Sequence, residues 1–329
     1  MGSPNTRVPS ELPLKPGSER QAPGAGGRDR MPSAMGVAML VLVIGFGKPL
    51  LDLVVFASHS DIYSHILLIP FLTVYLLRSS GEKWAFNVRP DFRIAAPPAA
   101  IGLALLGAYW ITRRSGPSLA REDYLALVIL AFVFLVFGVA AASVPRPKLR
   151  TAAFPLAFLL FLAPFPSAVL AGIEKFLQHG SAFTADWLLS LSGMPLVREG
   201  TFFRLPGFSM QVAPECSGIR STLVLFITSL AAGYLFLRSP GKRAILTAAV
   251  LPLALLRNGL RIFTIGQLCV HVSPSMIDSP IHRKGGPIFF ALSLIPFFLL
   301  LLWLRRMDRK STPEGDPILN ASSTPLSFK

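Results

Sequence analysis

Stretches of roughly twenty mostly apolar residues recur along the chain, separated by short polar segments. Each is long enough to cross a hydrocarbon core of about 30 Å. The pattern predicts eight spans: Ser33–Ala57, Ile62–Leu77, Ile94–Thr112, Tyr124–Ser143, Thr151–Leu170, Ser217–Leu237, Ala244–Cys269 and Pro287–Leu304. Lys48 and Asp52 interrupt the first and must face protein or water. The second is short. Between the fifth and sixth spans lies the longest connection, Ala171 to Cys216. Its first half, GIEKFLQHGSAFTADWLLSLSG, has helical apolar spacing and predicts an amphipathic helix lying along the membrane interface. Its second half is punctuated by Gly and Pro and predicts hairpin-like strands or irregular structure. The expected fold is an all-α integral membrane protein of about eight transmembrane helices, with one extracytoplasmic interfacial helix and a short hairpin or irregular segment.

Composition agrees with the pattern. Of the 329 residues, 52% are hydrophobic and 15% charged, where a soluble domain carries about a quarter charged residues. The net charge of +15 does not indicate nucleic-acid binding, because the basic residues form no single stripe. They cluster before span one and after spans two, four, six and eight. That is every second loop, as the positive-inside rule requires if both termini are cytoplasmic. The Arg113, Arg114 and Arg121 loop is the exception, diluted by Glu122 and Asp123. The expected location is the bacterial cytoplasmic (inner) membrane. Residues 1–32 and 306–329 read as disordered cytoplasmic tails flanking a membrane domain at 33–305, and residues 1–32 lack the apolar core of a signal peptide.

Against this apolar background the stretch APECSGIRS stands out at the outer mouth of the sixth span. Cys216 precedes a helix start, where the positive end of the dipole favours a thiolate. Ser217 or Glu215 is placed to cap that helix, and Arg220 to pair with Glu215 or the thiolate. The seventh span holds Arg257, Asn258 and Arg261 inside an apolar run. A charge there costs about 2.5–3.5 kcal/mol on insertion scales and so has either a polar cavity to face or a structural pair to make. His282 begins HRKGG at the outer end of the eighth span, within reach of the same surface. A thiolate, an imidazole and a guanidinium suffice for acyl transfer: one attacks a carbonyl, one moves the proton, one stabilises the oxyanion. His59 and His65 flank the second span on the same side, and His65 is a candidate for lining the site. His179, His271 and Cys269 have no evident task, although a disulfide from Cys269 to Cys216 would remove the nucleophile. Two rivals are a transporter or polysaccharide-assembly subunit in which Arg257, Arg261 and His282 line a solute path, and a serine-type protease using Ser217 or Ser221.

The strings APECSGIRS, NGLR and HRKGG, in this order and spacing, resemble the three motifs of the exosortase/archaeosortase family of membrane enzymes. YSHILLIPFLTVYLL and FPLAFLLFLAPFP resemble further family segments, so the likeness runs from about His59 to Leu304. The resemblance implies a cysteine-type transpeptidase on the outer face of the membrane. Its partners would be exported proteins whose C-terminal signal carries a Pro-Glu-Pro-type motif, a transmembrane helix and a basic cluster. By position, Cys216 matches the nucleophile, Arg261 the arginine of the Asn-x-x-Arg motif and His282 the histidine, with Arg257 an alternative to Arg261. Glu215 stands where many members carry a small residue and is expected to tune the thiol. This chemistry requires no metal or organic cofactor.

Overall fold

The structure, a computed structural model, describes residues 2, 31–81, 91–115, 119–279 and 285–310. Along the first half run α1 (Met31–Gly45), α2 (Gly47–His59), a 3-10 turn at Ser64–Leu68 leading into α3 (Ile69–Ser79), α4 (Phe92–Ser115), α5 (Arg121–Ser143) and α6 (Arg146–Ala157). Then come α7 (Ser167–Leu191), strands β1 (Val197–Glu199), β2 (Phe202–Leu205) and β3 (Phe208–Gln211), and a 3-10 turn at Pro214–Cys216. α8 (Ile219–Phe236), α9 (Pro240–Ala248), α10 (Val250–His271) and α11 (Gly286–Lys310) complete the order. The protein is an all-α membrane protein with a small sheet on one end.

Among the described residues five helices are long and apolar enough to cross a membrane, and seven spans result if two bent helix pairs each count once. The expected second span, Ile62–Leu77, corresponds to the helical stretch Ser64–Ser79, which is shorter. At helical rise it reaches about 24 Å, less than the hydrocarbon core. The first bent pair is α1 and α2, which meet at 65°. Phe46 sits at the break between Gly45 and Gly47, and glycines are a usual cause of a kink.

The second bent pair corrects the expected fifth span. Helix α6 and the 3-10 turn Phe158–Leu162 stop before Ala163, and α7 starts at Ser167 after a 94° turn. The Ala163-Pro164-Phe165-Pro166 stretch causes it, since each proline lacks an N–H and forces the preceding residue out of the helical region. Ser167–Leu170 therefore belong to α7. This helix buries Leu177, Ser181, Ala182, Ala185 and Leu189 and turns Phe176, Phe183, Trp187 and Leu191 outward. If α6 follows the membrane normal, α7 lies across it, with an apolar outer face suited to the interface.

The expected hairpin is a three-stranded antiparallel sheet, ordered β1-β2-β3. Phe203 pairs with Met210, and Leu205 with Phe208. Alternation puts Phe203, Leu205 and Met210 on one face, where they pack with Ala182, Ala185 and Leu189 of α7 and Ile262 of α10. The strands are joined by Gly200-Thr201 and Pro206-Gly207, with φ of +63° at Gly200 and +69° at Gly207.

Helices α7 and α10 cross closely. A Cβ on Gly259 would stand 2.6 Å from Thr184 Cγ2, and one on Gly180 would stand 2.8 Å from Leu255 Cδ2. Small residues let backbones approach in this way where lipid supplies no hydrophobic drive between helices. Gly259→Val should therefore lower the unfolding midpoint in detergent, by the equivalent of about 1–3 kcal/mol. Gly107→Ala, on α4 with nothing within 4 Å of the added methyl, should be neutral or raise it.

Candidate active site

Cys216 ends the 3-10 turn that follows the sheet. Two residues later Gly218 adopts φ +76° and N-caps α8 without a side-chain cap. The N-cap position thus falls to a left-handed glycine and not to Ser217. Ser217 is 2% exposed and its Oγ has no hydrogen-bond partner among the described residues. Ser221 Oγ donates to the Gly218 carbonyl at 3.0 Å. Neither serine is placed as a nucleophile.

Three side chains hold the turn. Asn258 Nδ2 donates to the Cys216 carbonyl at 2.7 Å. Arg257 Nη2 donates to the Gly218 carbonyl at 3.2 Å and lies 3.4 Å from Thr222 Oγ1, which itself donates to Gly218 at 2.8 Å. Gln178 of α7 donates to the Val212 carbonyl, on the strand side of the turn. A side chain at position 218 would be strained twice, by the positive φ and because its Cβ would stand 3.0 Å from Arg257 Nη2 and 3.3 Å from Asn258 Cγ.

A cleft opens beside the turn. Cys216, Asn258 and Arg261 line it together with Met210, Gln211, Val212, Ile262, Ile265 and Ile277. Its open space is about 30 Å³, room for a water or two. Arg261 therefore faces the space beside the thiol, whereas Arg257, 6% exposed, sits behind the turn and braces its backbone. The two arginines share a helix face one turn apart and repel each other, which favours their separation onto two sides of the turn.

The other expected residues divide as follows. Arg220 donates to Asp61 Oδ1 at 2.9 Å in an exposed ion pair, tying α8 to the loop after α2. Such a pair contributes little stability. His65 is held within its own turn, Nδ1 lying 3.0 Å from the Ile62 carbonyl, and is not among the residues lining the cleft. Glu215 precedes Cys216 in the turn; its side chain lies outside the described residues, as does His282. His59 and His179 contact carbonyls of their own helices, at 2.8 Å each. Cys269 is buried in α10, and no disulfide joins it to Cys216.

Gln178 and Thr222 were not legible as site residues. A hint for Gln178 lay in its place beside the buried stripe of α7, since a polar group there needs a partner.

Residues 56–299, about three-quarters of the chain, match the family of transmembrane exosortases (Exosortase_EpsH). The chain belongs to the transmembrane exosortase family. No curated protein and no solved structure gives a significant match. Family membership implies processing of sorting signals on exported proteins in the membrane, and the exosortase match contains all of the turn, the cleft and α10.

Asn258→Leu leaves the Cys216 carbonyl without its donor and should lower stability by about 1–3 kcal/mol. Gly218→Ala should cost at least as much. Both changes are expected to speed alkylation of Cys216 relative to Cys269, read by mass spectrometry of labelled peptides.

Proposed function

We propose that this exosortase is a cysteine-type peptidase or transpeptidase that acts on C-terminal sorting signals of the Pro-Glu-Pro type at the outer face of the cytoplasmic membrane. The observation that carries the reading is the cleft that Cys216 and Arg261 line together beside a braced turn. The proposal assigns Cys216 as nucleophile, Arg261 as oxyanion stabiliser and His282, from its motif, as general acid and base.

His282 takes the thiol proton of Cys216, the thiolate attacks the scissile carbonyl carbon, and negative charge moves to the carbonyl oxygen. Arg261 offers fixed N–H donors to that oxygen; loss of one such group costs about 10²–10³ in rate. The tetrahedral intermediate collapses, the C–N bond breaks, and the leaving amine takes a proton from His282. The resulting thioester then yields to an amine acceptor or to water, which loses a proton to His282 and restores the thiol. Arg257 and Asn258 do not touch the reacting atoms in this scheme. They are positioning residues, whose contacts fix where the thiol stands.

The narrowness of the cleft fits a peptide drawn across its edge better than a solute passing through it. β3 is an edge strand of the sheet, and its last residues, Met210 and Gln211, form one wall of the cleft with Val212. An extended substrate meets a strand edge there, the surface that strand-addition recognition uses. The substrate's transmembrane helix would then approach from lipid, leaving its cleavable motif level with Cys216.

Co-expression with a tagged protein carrying a Pro-Glu-Pro signal tests the assignment. Processing should be lost in Cys216→Ala and His282→Ala and fall at least about 100-fold in Arg261→Ala. Ser217→Ala should process normally. Undiminished processing in Cys216→Ala overturns the mechanism, and a null Ser217→Ala protein of normal stability would move the nucleophile to serine.

A further inference from the structure

Another cavity lies at the other end of α8. It has a volume of about 530 Å³ and is lined by Tyr234, Phe236 and Arg238 at the end of α8, Arg243 of α9, and Arg305 and Asp308 near the end of α11. This size is within the range of small-ligand pockets.

Its charge is one-sided. Three arginines line it against a single carboxylate, and that carboxylate is already occupied. Asp308 is 7% exposed; its Oδ1 pairs with Lys242 Nζ at 2.9 Å and its Oδ2 accepts from the backbone N–H of Arg238 at 2.6 Å. Among the described residues no carboxylate pairs with Arg238, Arg243 or Arg305.

Two of the arginines are held in place by other means. Arg243 Nε donates to the Leu237 carbonyl at 2.9 Å while its guanidinium lies 5.4 Å from the centre of the Tyr234 ring. Arg305 lies 5.6 Å from the centre of the Phe236 ring. Guanidinium groups seated on aromatic rings keep their outer N–H donors for an oxyanion, and their planar fork matches phosphate. The cost of ordering them is met before any ligand arrives.

An apolar path leads away from the cavity. Ile295, Phe298, Leu302 and Arg305 are three or four residues apart on α11 and form one stripe. The first three are exposed, and so is Trp303, at the level where tryptophan favours the headgroup region. A ligand with an anionic head at Arg305 and a hydrocarbon tail along this stripe satisfies both halves of the surface. Free phosphate would use only the first.

We propose that the Arg238–Arg243–Arg305 cavity binds the phosphate of an anionic phospholipid, its acyl chains lying along the outer face of α11. Basic clusters follow α8 and begin again at the end of α11, which places the site in the cytoplasmic leaflet by the positive-inside pattern. The lipid bridges the ends of α8, α9 and α11, on the side of the bundle away from Cys216. It is independent of the reaction at Cys216.

The test uses the full chain, purified and placed in phosphatidylcholine nanodiscs with or without phosphatidylglycerol. Phosphatidylglycerol should raise the wild-type unfolding midpoint by about 3 °C or more. The Arg238→Gln/Arg305→Gln variant, which leaves the Arg243 contact to Leu237 intact, should match the wild type in pure phosphatidylcholine and lose that gain. An equal gain in the variant, no gain in the wild type, or the same gain from soluble glycerol 3-phosphate would overturn the proposal. Should the variant fail to fold, native mass spectrometry of the wild type decides. Preferential retention of phosphatidylglycerol over phosphatidylcholine from an equal mixture supports the site, and indifferent retention refutes it.

Discussion

Asn258 reaches the Cys216 carbonyl at 2.7 Å because α10 is pressed between α7 and the turn before α8. The approach depends on two glycines. Gly259 lets α10 meet Thr184 of α7, and Gly218 lets the turn lie against Arg257 and Asn258. With a methyl group at either place, α10 would have to move by some tenths of an ångström. The hydrogen bonds that hold Cys216 have no such slack, since donor–acceptor contacts weaken quickly beyond about 3.2 Å.

The same arrangement explains how a membrane helix tolerates two arginines one turn apart. Arg257 is buried but meets the Gly218 carbonyl, so part of its desolvation cost is offset by charge-assisted bonding. Arg261 borders the cleft, whose lining also offers Cys216, Gln211 and Asn258. The sheet closes the arrangement from outside: Phe203, Leu205 and Met210 seal the α7–α10 crossing, and Gln178 fixes Val212 where the sheet hands over to the turn. Backbone bracing and a charge facing the thiol thus come from one helix, and that separation of tasks is the basis for assigning Arg261 to chemistry and Arg257 to position.

Much of this was legible in the chain. Runs of about twenty apolar residues indicate spans whatever their packing, and Gly-Pro punctuation between short β-like runs indicated the hairpin. The spacing of Cys216 and Arg261 within family-like motifs indicated the cleft. Two departures are local. Hydropathy carries the expected fifth span, Thr151–Leu170, through Pro164 and Pro166 because it averages over the prolines that break it. The expected second span, Ile62–Leu77, has the apolarity of a span, but the helical stretch there, Ser64–Ser79, is short. The other departures depend on tertiary distance. Helix position alone leaves Arg257 and Arg261 equivalent, because residues four apart share a face, and the Asn-x-x-Arg motif favours Arg261. The packing of α8's first turn against α10 separates them in space, with Arg257 under the Gly218 carbonyl and Arg261 along the cleft. The Arg220 ion pair was sought near its own turn, whereas its partner, Asp61, arrives from a distant loop.

A nucleophilic Cys216 becomes covalently acylated during turnover. The most direct measurement is intact-protein and peptide mass spectrometry of the chain trapped during turnover of a tagged sorting-signal substrate. A substrate acyl adduct is expected on the peptide containing Cys216, released by hydroxylamine as a thioester is and formed at least about 100-fold more slowly when Arg261 is replaced by alanine. An adduct on any other residue, or full turnover with no mass added at Cys216, would contradict it.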